Sequence, residues 1–326
     1  MRMVTIPRTS LKVSSICLGT PLFGSVIDQA TSFALLDAYF ELGGNFLDSA
    51  IIYADWLPGY ERSASEKTIG RWMRTRNNRK RVVIGTKGAH PDFSALTIPR
   101  LSKADITHDV ETSLINLGTD WIDLYWLHRD NPSHPVGDIM ETLNGLVAKG
   151  YIRFFGCSNW RCVRIRAAQE YAQWKGLMGF SGDEVMWSLA KIKGDALVDK
   201  TLVFMDDDLY RLHRQTGLAA IAYSSQANGL FHQLIAQNFD MTKVKVSGQF
   251  LHENNVGRAR RVAKMATESG MSIAQVILGY LFSQPFTTIP IVGCQCLVEL
   301  RDSMSACDAV LTSEQAAFLE QDRWLG

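Results

Sequence analysis

Four side chains with complementary proton chemistry follow short apolar runs in the first half of the chain. They are Asp48, Tyr53, Lys87 and His128. The apolar runs predict parallel strands, and the carboxyl ends of adjacent parallel strands open on one face of a barrel. Residues far apart in the chain can converge there, so these four predict a site that handles protons.

The chemistry predicted for this group is general acid and base catalysis by the tyrosine. A free tyrosine has a pKa of about 10, so it acts near neutrality only where a neighbouring cation favours the phenolate. We expect Lys87 to lower the pKa of Tyr53, and Asp48 to keep Lys87 charged and aimed. His128 then orients a substrate oxygen or relays a proton. Each residue alone has an ordinary structural role, but the combination favours catalysis that requires no metal.

The rhythm of the remaining sequence predicts the elements that position these residues. From Ser15 onward, apolar runs alternate about eight times with segments of helical period, which is typical of βα units. The predicted strands cover residues 16–19, 45–48, 81–86, 122–127, 151–156, 184–188, 218–223 and 287–291. The predicted helices cover residues 31–42, 66–74, 106–117, 136–147, 160–174, 202–215, a stretch on either side of Gly270, 297–305 and 313–318.

These elements predict an α/β fold, a (β/α)8 TIM barrel that forms one domain over residues 1–326. Residues 4–6 and 11–13 predict an N-terminal β-hairpin that plugs the barrel floor. A doubly wound dinucleotide fold shows the same alternation, but its G-x-G-x-x-G segment is absent, as is a Walker loop. Residues 128–130 read HRD, as in a kinase catalytic loop, but the glycine-rich loop and D-F-G segment of kinases are absent.

Composition limits the classes of partner. The 34 Lys and Arg residues nearly balance 33 Asp and Glu residues, so no global field would gather nucleic acid or an anionic membrane. The chain has no signal-like N-terminus and no long apolar run, and we expect a cytoplasmic protein whose six cysteines are reduced. We expect a small-molecule substrate. Both a monomer and a homo-oligomer stay open.

Three motifs around the four residues resemble the aldo-keto reductase superfamily, and the resemblance covers nearly the whole chain. Residues 45–50 read NFLDSA and precede Tyr53, residues 85–87 read GTK, and residues 127–128 read LH. By this resemblance Tyr53 is the catalytic acid and base, and Asp48, Lys87 and His128 complete a tetrad. The family transfers a hydride between a nicotinamide dinucleotide and a carbonyl or alcohol.

The resemblance also implies a cofactor site. Residues 155–160 read FGCSNW, where the family's Ser and Asn hold the nicotinamide carboxamide; residues 222–230 read AYSSQANGL, where an aromatic stacks on nicotinamide and a turn wraps the pyrophosphate. Residues 289–293 read IPIVG and open the helix that holds the adenosine end, because a helix N-terminus is a natural phosphate site. The implied cofactor residues are Gly19, Thr20, Pro21, Asp48, Ser158, Asn159, Glu184, Tyr223, Ser224, Gln226, Asn228, Gly229, Ile291, Gly293, Gln295, Glu299, Asp302 and Ser303.

Two departures from the family pattern bear on the cofactor. Gln295, Cys296 and Glu299 stand where basic or neutral polar residues commonly grip the 2'-phosphate of NADP, and only Arg301 is nearby. Glu299 would repel that phosphate, so either NADP or NAD is expected. Glu184 stands where the family has a carboxamide-binding Gln, unless the alignment is shifted by one residue. A carboxylate accepts from the amide but does not donate to it.

The substrate is expected above Tyr53 and His128. Aromatics assigned to the pocket are Phe23, Trp56 and Trp160, with Tyr60, Trp126 and Trp187 as further candidates. Such rings suit the apolar faces of a sugar or polyol as well as an aromatic aldehyde. The long loop at residues 87–102 resembles bacterial sugar or keto-sugar reductases, and its His90 is either a substrate contact or a solvated residue.

Two other functions fit the same barrel. One is a cofactor-binding regulatory subunit similar to the beta subunits of potassium channels, which an intact tetrad disfavours. The other is a lyase or isomerase in which Lys87 forms a Schiff base with substrate. The residues favour an NAD(P)-dependent oxidoreductase acting on a sugar, keto-sugar or polyol.

Overall fold

The computed structural model describes residues 1–321. The chain opens with the predicted hairpin, in which β1 (Met3–Thr5) pairs antiparallel with β2 (Lys12–Ser14). Ile6 and Val13 of this segment are fully buried and pack with Phe46 inside the barrel. The hairpin therefore closes the floor of the barrel.

Eight parallel strands form a closed barrel, which confirms the predicted TIM-barrel class. In chain order they are β3 (Cys17–Gly19), β4 (Phe46–Asp48), β5 (Val83–Gly88), β6 (Ile122–Leu127), β7 (Ile152–Ser158), β8 (Gly182–Met186), β9 (Ala219–Tyr223) and β10 (Thr288–Gly293). Each strand pairs with the next, and β10 closes the ring on β3, where Gly293 aligns with Gly19. All eight carboxyl ends open on one face.

Helices surround the barrel. They are α1 (Gln29–Glu41), α2 (Ala64–Arg76), α3 (Lys103–Leu117), α4 (Val136–Ala148), α5 (Cys162–Lys175), α6 (Asp207–Thr216), α7 (Leu230–Ala236), α8 (Asn254–Ser269), α9 (Ile273–Phe282), α10 (Leu297–Ser305) and α11 (Ser313–Glu320). In residues 1–321, no helix is long and apolar enough to cross a membrane.

Several predicted elements are displaced along the chain, and the strand predicted at residues 81–86 is β5, two residues later. The strand predicted at residues 184–188 is β8, two residues earlier. The helix predicted from residue 202 is α6, which begins at Asp207 because the side chain of Asp206 caps it by accepting from the backbone N–H groups of Asp208 and Leu209. Apolar residues 202–205 precede the helix, and Phe204 forms an isolated β-bridge with Met186.

One large aromatic residue fills the barrel below its open end. Trp126 is fully buried, and it aligns in register with Lys87, so both side chains point inward. A Cβ atom on Gly156 would lie 2.3 Å from the Trp126 ring, and one on Gly85 would lie 2.9 Å from its Nε1 atom. Glycine at these positions leaves the space for the indole. Trp126 is thus part of the barrel interior and has no exposed surface at the mouth.

Candidate active site

The four predicted catalytic residues meet at the open end of the barrel. Lys87 Nζ donates to both carboxylate oxygens of Asp48, at 2.6 and 2.7 Å, and to the Tyr53 hydroxyl at 2.9 Å. The backbone carbonyl oxygen of Ser49 also lies 2.9 Å from Nζ, so the three N–H groups of the ammonium are shared among four acceptors. The turn after β4 brings Tyr53 over the strand end, and the Tyr53 hydroxyl lies 3.4 Å from Asp48 Oδ2. The lysine ammonium is therefore fixed between a carboxylate and a phenol.

His128 follows β6 and faces the tyrosine. Its ring centroid lies 6.2 Å from that of Tyr53 and 5.0 Å from that of His90. Its backbone N–H donates to Gly88 O at 2.8 Å, which fixes the start of the loop. Its Nδ1 atom is buried and has no hydrogen-bond partner. A buried imidazole nitrogen without a partner is available to a bound molecule or water.

Burial and charge set the protonation of Tyr53. Burial raises the pKa of Tyr53, while the charge of Lys87 opposes that shift and lowers it. Lys87 thus lowers the pKa of Tyr53 as expected, but burial outweighs the lysine and the net direction is upward. The phenol holds its proton at neutral pH, and the lysine stabilises the phenolate that forms when the proton leaves.

Both histidines at the mouth are neutral. Burial lowers the pKa of His128 well below its ordinary value, and the positive charges of Arg129 and Lys87 add to this effect. Burial, with Arg129, lowers the pKa of His90 to about 4. Neutral His128 can donate or accept a hydrogen bond but is not an acid of imidazolium type, which supports the orienting role over the proton relay.

One contact of the tetrad is not predictable from the motifs. Glu184 Oε1 lies 3.2 Å from Lys87 Nζ, so the lysine faces two carboxyl groups. Glu184 Oε2 is buried and has no hydrogen-bond partner. Burial raises the pKa of Glu184 well above its ordinary value, and the charge of Asp48 adds to this shift. The contact joins opposite sides of the barrel, and sequence spacing carries no signal for it.

The residues assigned to the nicotinamide lie beside Glu184. Ser158 aligns with Glu184 across β7 and β8, and its hydroxyl donates to the Glu184 carbonyl at 2.8 Å. Asn159 has a left-handed backbone with φ 62°, and its Oδ1 accepts from the Tyr223 hydroxyl at 2.7 Å. Its amide nitrogen lies 3.2 Å from His128 O. These contacts join the carboxyl ends of β6, β7 and β9.

The loop after β9 has left-handed residues where the resemblance places the pyrophosphate. Ser224, Asn228 and Gly229 all have positive φ, at 53°, 54° and 77°. Such turns can present backbone N–H groups to phosphate oxygens, but here those of Ala227 and Gly229 already donate to Ser224 O and Gln226 O, at 2.8 and 2.9 Å. Gln226 donates from Nε2 to the Ser303 hydroxyl at 2.8 Å, which joins this loop to α10.

The remaining predicted cofactor residues line the neighbouring strand ends and α10. Thr20 is buried and donates to Asp48 O at 2.8 Å, and it lies between Gly19 and Pro21. Ile291 and Gly293 end β10, and Gln295 precedes α10. Asp302 lies 3.5 Å from His232 of α7.

These residues fit a dinucleotide. Buried polar atoms without partners, His128 Nδ1 and Glu184 Oε2, lie at one end, and the left-handed loop and the start of α10 lie at the other. Ser158, Asn159 and Tyr223 would hold the nicotinamide; residues 224–229 and α10 would hold the phosphates and adenosine.

Glu299 sets the charge at the adenosine end. It lies in the first turn of α10, and its Oε2 accepts from the backbone N–H of Gln295 at 2.7 Å. We predict that Glu299→Arg raises affinity for NADPH relative to NADH by roughly tenfold, because it replaces a repelling carboxylate with a phosphate partner. Fluorescence titration with both reduced cofactors measures the ratio. Glu314→Arg at the start of α11 is the control. An unchanged ratio of NADPH to NADH affinity in Glu299→Arg would contradict the placement of Glu299 beside the 2'-phosphate.

The predicted substrate residues divide into two groups. Trp56 is 43% exposed, and its ring centroid lies 6.2 Å from that of Tyr53 and 6.3 Å from that of Phe93, which is 39% exposed. Phe23 and Trp160 are 1% and 0% exposed and pack in the layer between barrel and helices. Neither ring has exposed surface to offer a substrate, although Trp160 Nε1 donates to Arg129 O at 3.3 Å, next to His128.

The loop after β5 supplies two aromatic rings, those of His90 and Phe93. Of these, only His90 was singled out from the sequence. His90 is only 6% exposed, so the solvated alternative does not describe it. Its ring lies 5.4 Å from Phe93 and its Nδ1 is 2.7 Å from Pro91 O. Together Trp56, His90 and Phe93 form an aromatic wall beside His128.

Fold and site together define a TIM-barrel protein with a buried proton-transfer group at the carboxyl ends of its strands. Comparison with known families gives the relationship: the model of the aldo/keto reductase family matches residues 15–321. The chain belongs to the aldo/keto reductase family.

The relatives of this chain include oxidoreductases of fungi and bacteria. An aldo-keto reductase, ausK, of Aspergillus calidoustus is 28% identical over 96% of this chain and 80% of its own length. The norsolorinic acid reductase stcV of Emericella nidulans is 26% identical over 97% of this chain and 80% of its own length. An uncharacterised oxidoreductase, YrpG, of Bacillus subtilis is 28% identical over 96% and 93%.

Proposed function

We propose that the protein is an NAD(P)-dependent oxidoreductase that transfers a hydride between nicotinamide and a carbonyl or alcohol. The observation that carries this proposal is the Tyr53 hydroxyl held 2.9 Å from Lys87 Nζ, with Asp48 on the other side of the ammonium. Family membership supports it. A nicotinamide bound along Ser158, Asn159 and Tyr223 would supply or accept the hydride.

The residues of the chain then act on the substrate oxygen. In reduction, Tyr53 donates its proton to that oxygen, and Lys87 stabilises the phenolate left behind. Asp48 keeps the ammonium in place through two hydrogen bonds. Neutral His128 orients the substrate oxygen toward the phenol. In the reverse direction the Tyr53 phenolate accepts the proton of an alcohol.

Fluorescence titration of the purified protein with NADH and NADPH, followed by turnover with carbonyl substrates, tests this function. We expect saturable binding of at least one reduced cofactor and its oxidation in the presence of a carbonyl compound. Binding without turnover over a broad substrate panel would favour the regulatory alternative. Binding of neither cofactor would refute the proposal.

The site disfavours the Schiff-base alternative. A Schiff base requires a neutral amine as nucleophile. Burial alone would lower the pKa of Lys87, but Asp48 and Glu184 outweigh it and raise the pKa well above its ordinary value. The ammonium therefore keeps its proton. Failure of borohydride to trap a carbonyl substrate on Lys87, with nicotinamide binding intact, would exclude this alternative.

For the substrate we propose a molecule with a flat apolar face beside its carbonyl or alcohol. A sugar, keto-sugar or polyol is the first candidate, because the CH face of such a molecule suits the aromatic wall. An aromatic ketone is the second candidate. It is favoured by the same wall and by relatives named for reduction of norsolorinic acid.

Trp56 provides a test of the wall. We predict that Trp56→Ala lowers kcat/KM for a bulky aromatic carbonyl or a sugar by roughly tenfold, because the exposed ring offers contact area and edge contacts worth about 1 kcal/mol or more. A small aliphatic aldehyde is expected to lose little. Trp174→Ala is the matched control, since Trp174 is exposed on α5. Equal losses for small and bulky substrates would contradict a role in the wall.

A further inference from the structure

The buried group around Lys87 contains one more acid than it has cations. Lys87 Nζ contacts Asp48 at 2.6 and 2.7 Å and Glu184 at 3.2 Å, and all three side chains are almost without exposed surface. With both acids ionised the group would carry a net charge of −1. Burial of an uncompensated charge is costly, so the group holds an additional proton.

The other titratable side chains near Glu184 do not supply a balancing charge. Burial raises the pKa values of Cys17, Tyr53 and Tyr223, so all three are neutral near pH 7. The groups that face Glu184 from the neighbouring strands and loops are Cys17 of β3, Asp48 of β4, Tyr53 of the following turn, Lys87 of β5 and Tyr223 of β9. Only Lys87 is a cation.

The geometry distinguishes the two acids. Both oxygens of Asp48 accept hydrogen bonds from Lys87, as an ionised carboxylate requires. Glu184 has one contact to the lysine, and its Oε2 is buried without a partner. An ionised carboxylate with an unpartnered buried oxygen is the costlier arrangement, so the proton belongs on Glu184.

We propose that Glu184 carries this proton in the free protein and releases it when oxidised nicotinamide binds, so that Glu184 makes the protein's preference between oxidised and reduced cofactor depend on pH. This inference rests on the proposed function. The oxidised ring is a cation and the reduced ring is neutral. A cation beside Ser158 and Glu184 supplies the positive charge that the two carboxylates otherwise lack, and the proton leaves to solvent.

The sign of the effect follows from this exchange. Over the pH range where Glu184 of the free protein is protonated, binding of the oxidised cofactor releases a proton and becomes tighter as pH rises, by up to about tenfold per pH unit. Binding of the reduced cofactor releases no such proton. The ratio of the two dissociation constants therefore changes with pH in the wild-type protein. As pH rises, the protein increasingly prefers the oxidised cofactor to the reduced one.

The test compares wild type with Glu184→Gln, which keeps the shape of the side chain and removes its proton exchange. Dissociation constants for oxidised and reduced NAD and NADP are measured across pH, and proton release is measured by calorimetry in two buffers of different ionisation enthalpy. We expect Glu184→Gln to remove the proton release and to weaken the oxidised cofactor relative to the reduced one by roughly tenfold at high pH, equivalent to one pKa unit of coupling.

Glu66→Gln is the matched control. Glu66 is also a buried acid, but its oxygens accept from Thr86 at 2.6 Å and Asn116 at 2.8 Å, away from Lys87. This variant is expected to keep the pH-dependent ratio. Calorimetry of the wild-type protein tests proton release without any variant. Infrared spectroscopy is a second readout: the free wild-type protein should show the C=O band of a protonated carboxylic acid, and Glu184→Gln should lack it.

The possible results separate the inference from the function. The wild type could bind both cofactor forms without proton release and with a pH-independent ratio of dissociation constants. This result would overturn the role of Glu184 and leave the oxidoreductase proposal standing. Failure to bind any nicotinamide cofactor would overturn both. Proton release that persists in Glu184→Gln would assign the proton to another group and refute the inference.

Discussion

Replacement of Tyr53 by phenylalanine is expected to lower kcat by roughly 100- to 10,000-fold, the range found for loss of a positioned acid or base. The Tyr53 phenol keeps its proton, lies 2.9 Å from Lys87 Nζ, and has its ring centroid 6.2 Å from that of His128. Phenylalanine fills the same space, so cofactor affinity should change little. Steady-state kinetics and cofactor titration on the same preparation measure both quantities.

Tyr171→Phe is the control for this variant, because Tyr171 lies on α5 and its hydroxyl makes only a surface hydrogen bond to Glu141. It should keep turnover within about twofold, as surface changes of this kind usually do. Turnover that survives in Tyr53→Phe would remove the tyrosine from the role of acid. A large loss of cofactor affinity in the same variant would mean that Tyr53 also shapes the cofactor site.

Replacement of Lys87 by methionine is expected to have the largest effect on stability. The change leaves two buried acids without their cation, and breaking a buried ion pair in this way costs about 3–5 kcal/mol. Protonation of Asp48 and Glu184 limits the loss. Urea denaturation of wild type and Lys87→Met gives the difference in the free energy of unfolding.

The loss should grow as pH rises. Without Lys87 the folded-state pKa values of both acids lie further above their unfolded values, so the unfolded state binds fewer protons than the folded state over that range, and stability falls with rising pH. Lys67→Met is the matched control, because Lys67 forms only an exposed pair with Glu61 at 2.9 Å. It should cost at most about 1 kcal/mol. A pH-independent loss in Lys87→Met would argue against buried acids as its cause.

Local sequence signals were sufficient for the barrel and for the tetrad. Strand ends are set by apolar runs and by the polar residue that follows each run, as at Asp48, and strand ends in a closed barrel share one face. Convergence of Asp48, Lys87 and His128 therefore follows from topology alone. Tyr53 was assigned from its place five residues after Asp48, and its role as the acid and base was also implied by the family resemblance.

Contacts that cross the barrel and burial of large rings were not predictable in this way. The pairing of Glu184 with Lys87 depends on side-chain reach across the interior, which no spacing encodes. Phe23 and Trp160 are aromatic and close to motif residues, yet packing with the helix layer uses their whole surface. Apolar residues 202–205 have a helix-like composition, but the cap at Asp206 delays the helix. In the first two cases tertiary contacts decided between locally equivalent alternatives, and in the third a local cap did.

The indole of Trp126 and the two glycines that make room for it have a consequence for variation among related proteins. A side chain at Gly156 or Gly85 would overlap the ring, so none of the three positions can change size without a matching change at another. We therefore expect the residues at positions 85, 126 and 156 to change together among relatives or to stay the same. The Trp56 and Phe93 rings at the mouth contact each other but are 43% and 39% exposed, so they constrain each other less. Exchange of the Trp56 and Phe93 loops between relatives is thus a route to altered specificity that leaves the scaffold below intact.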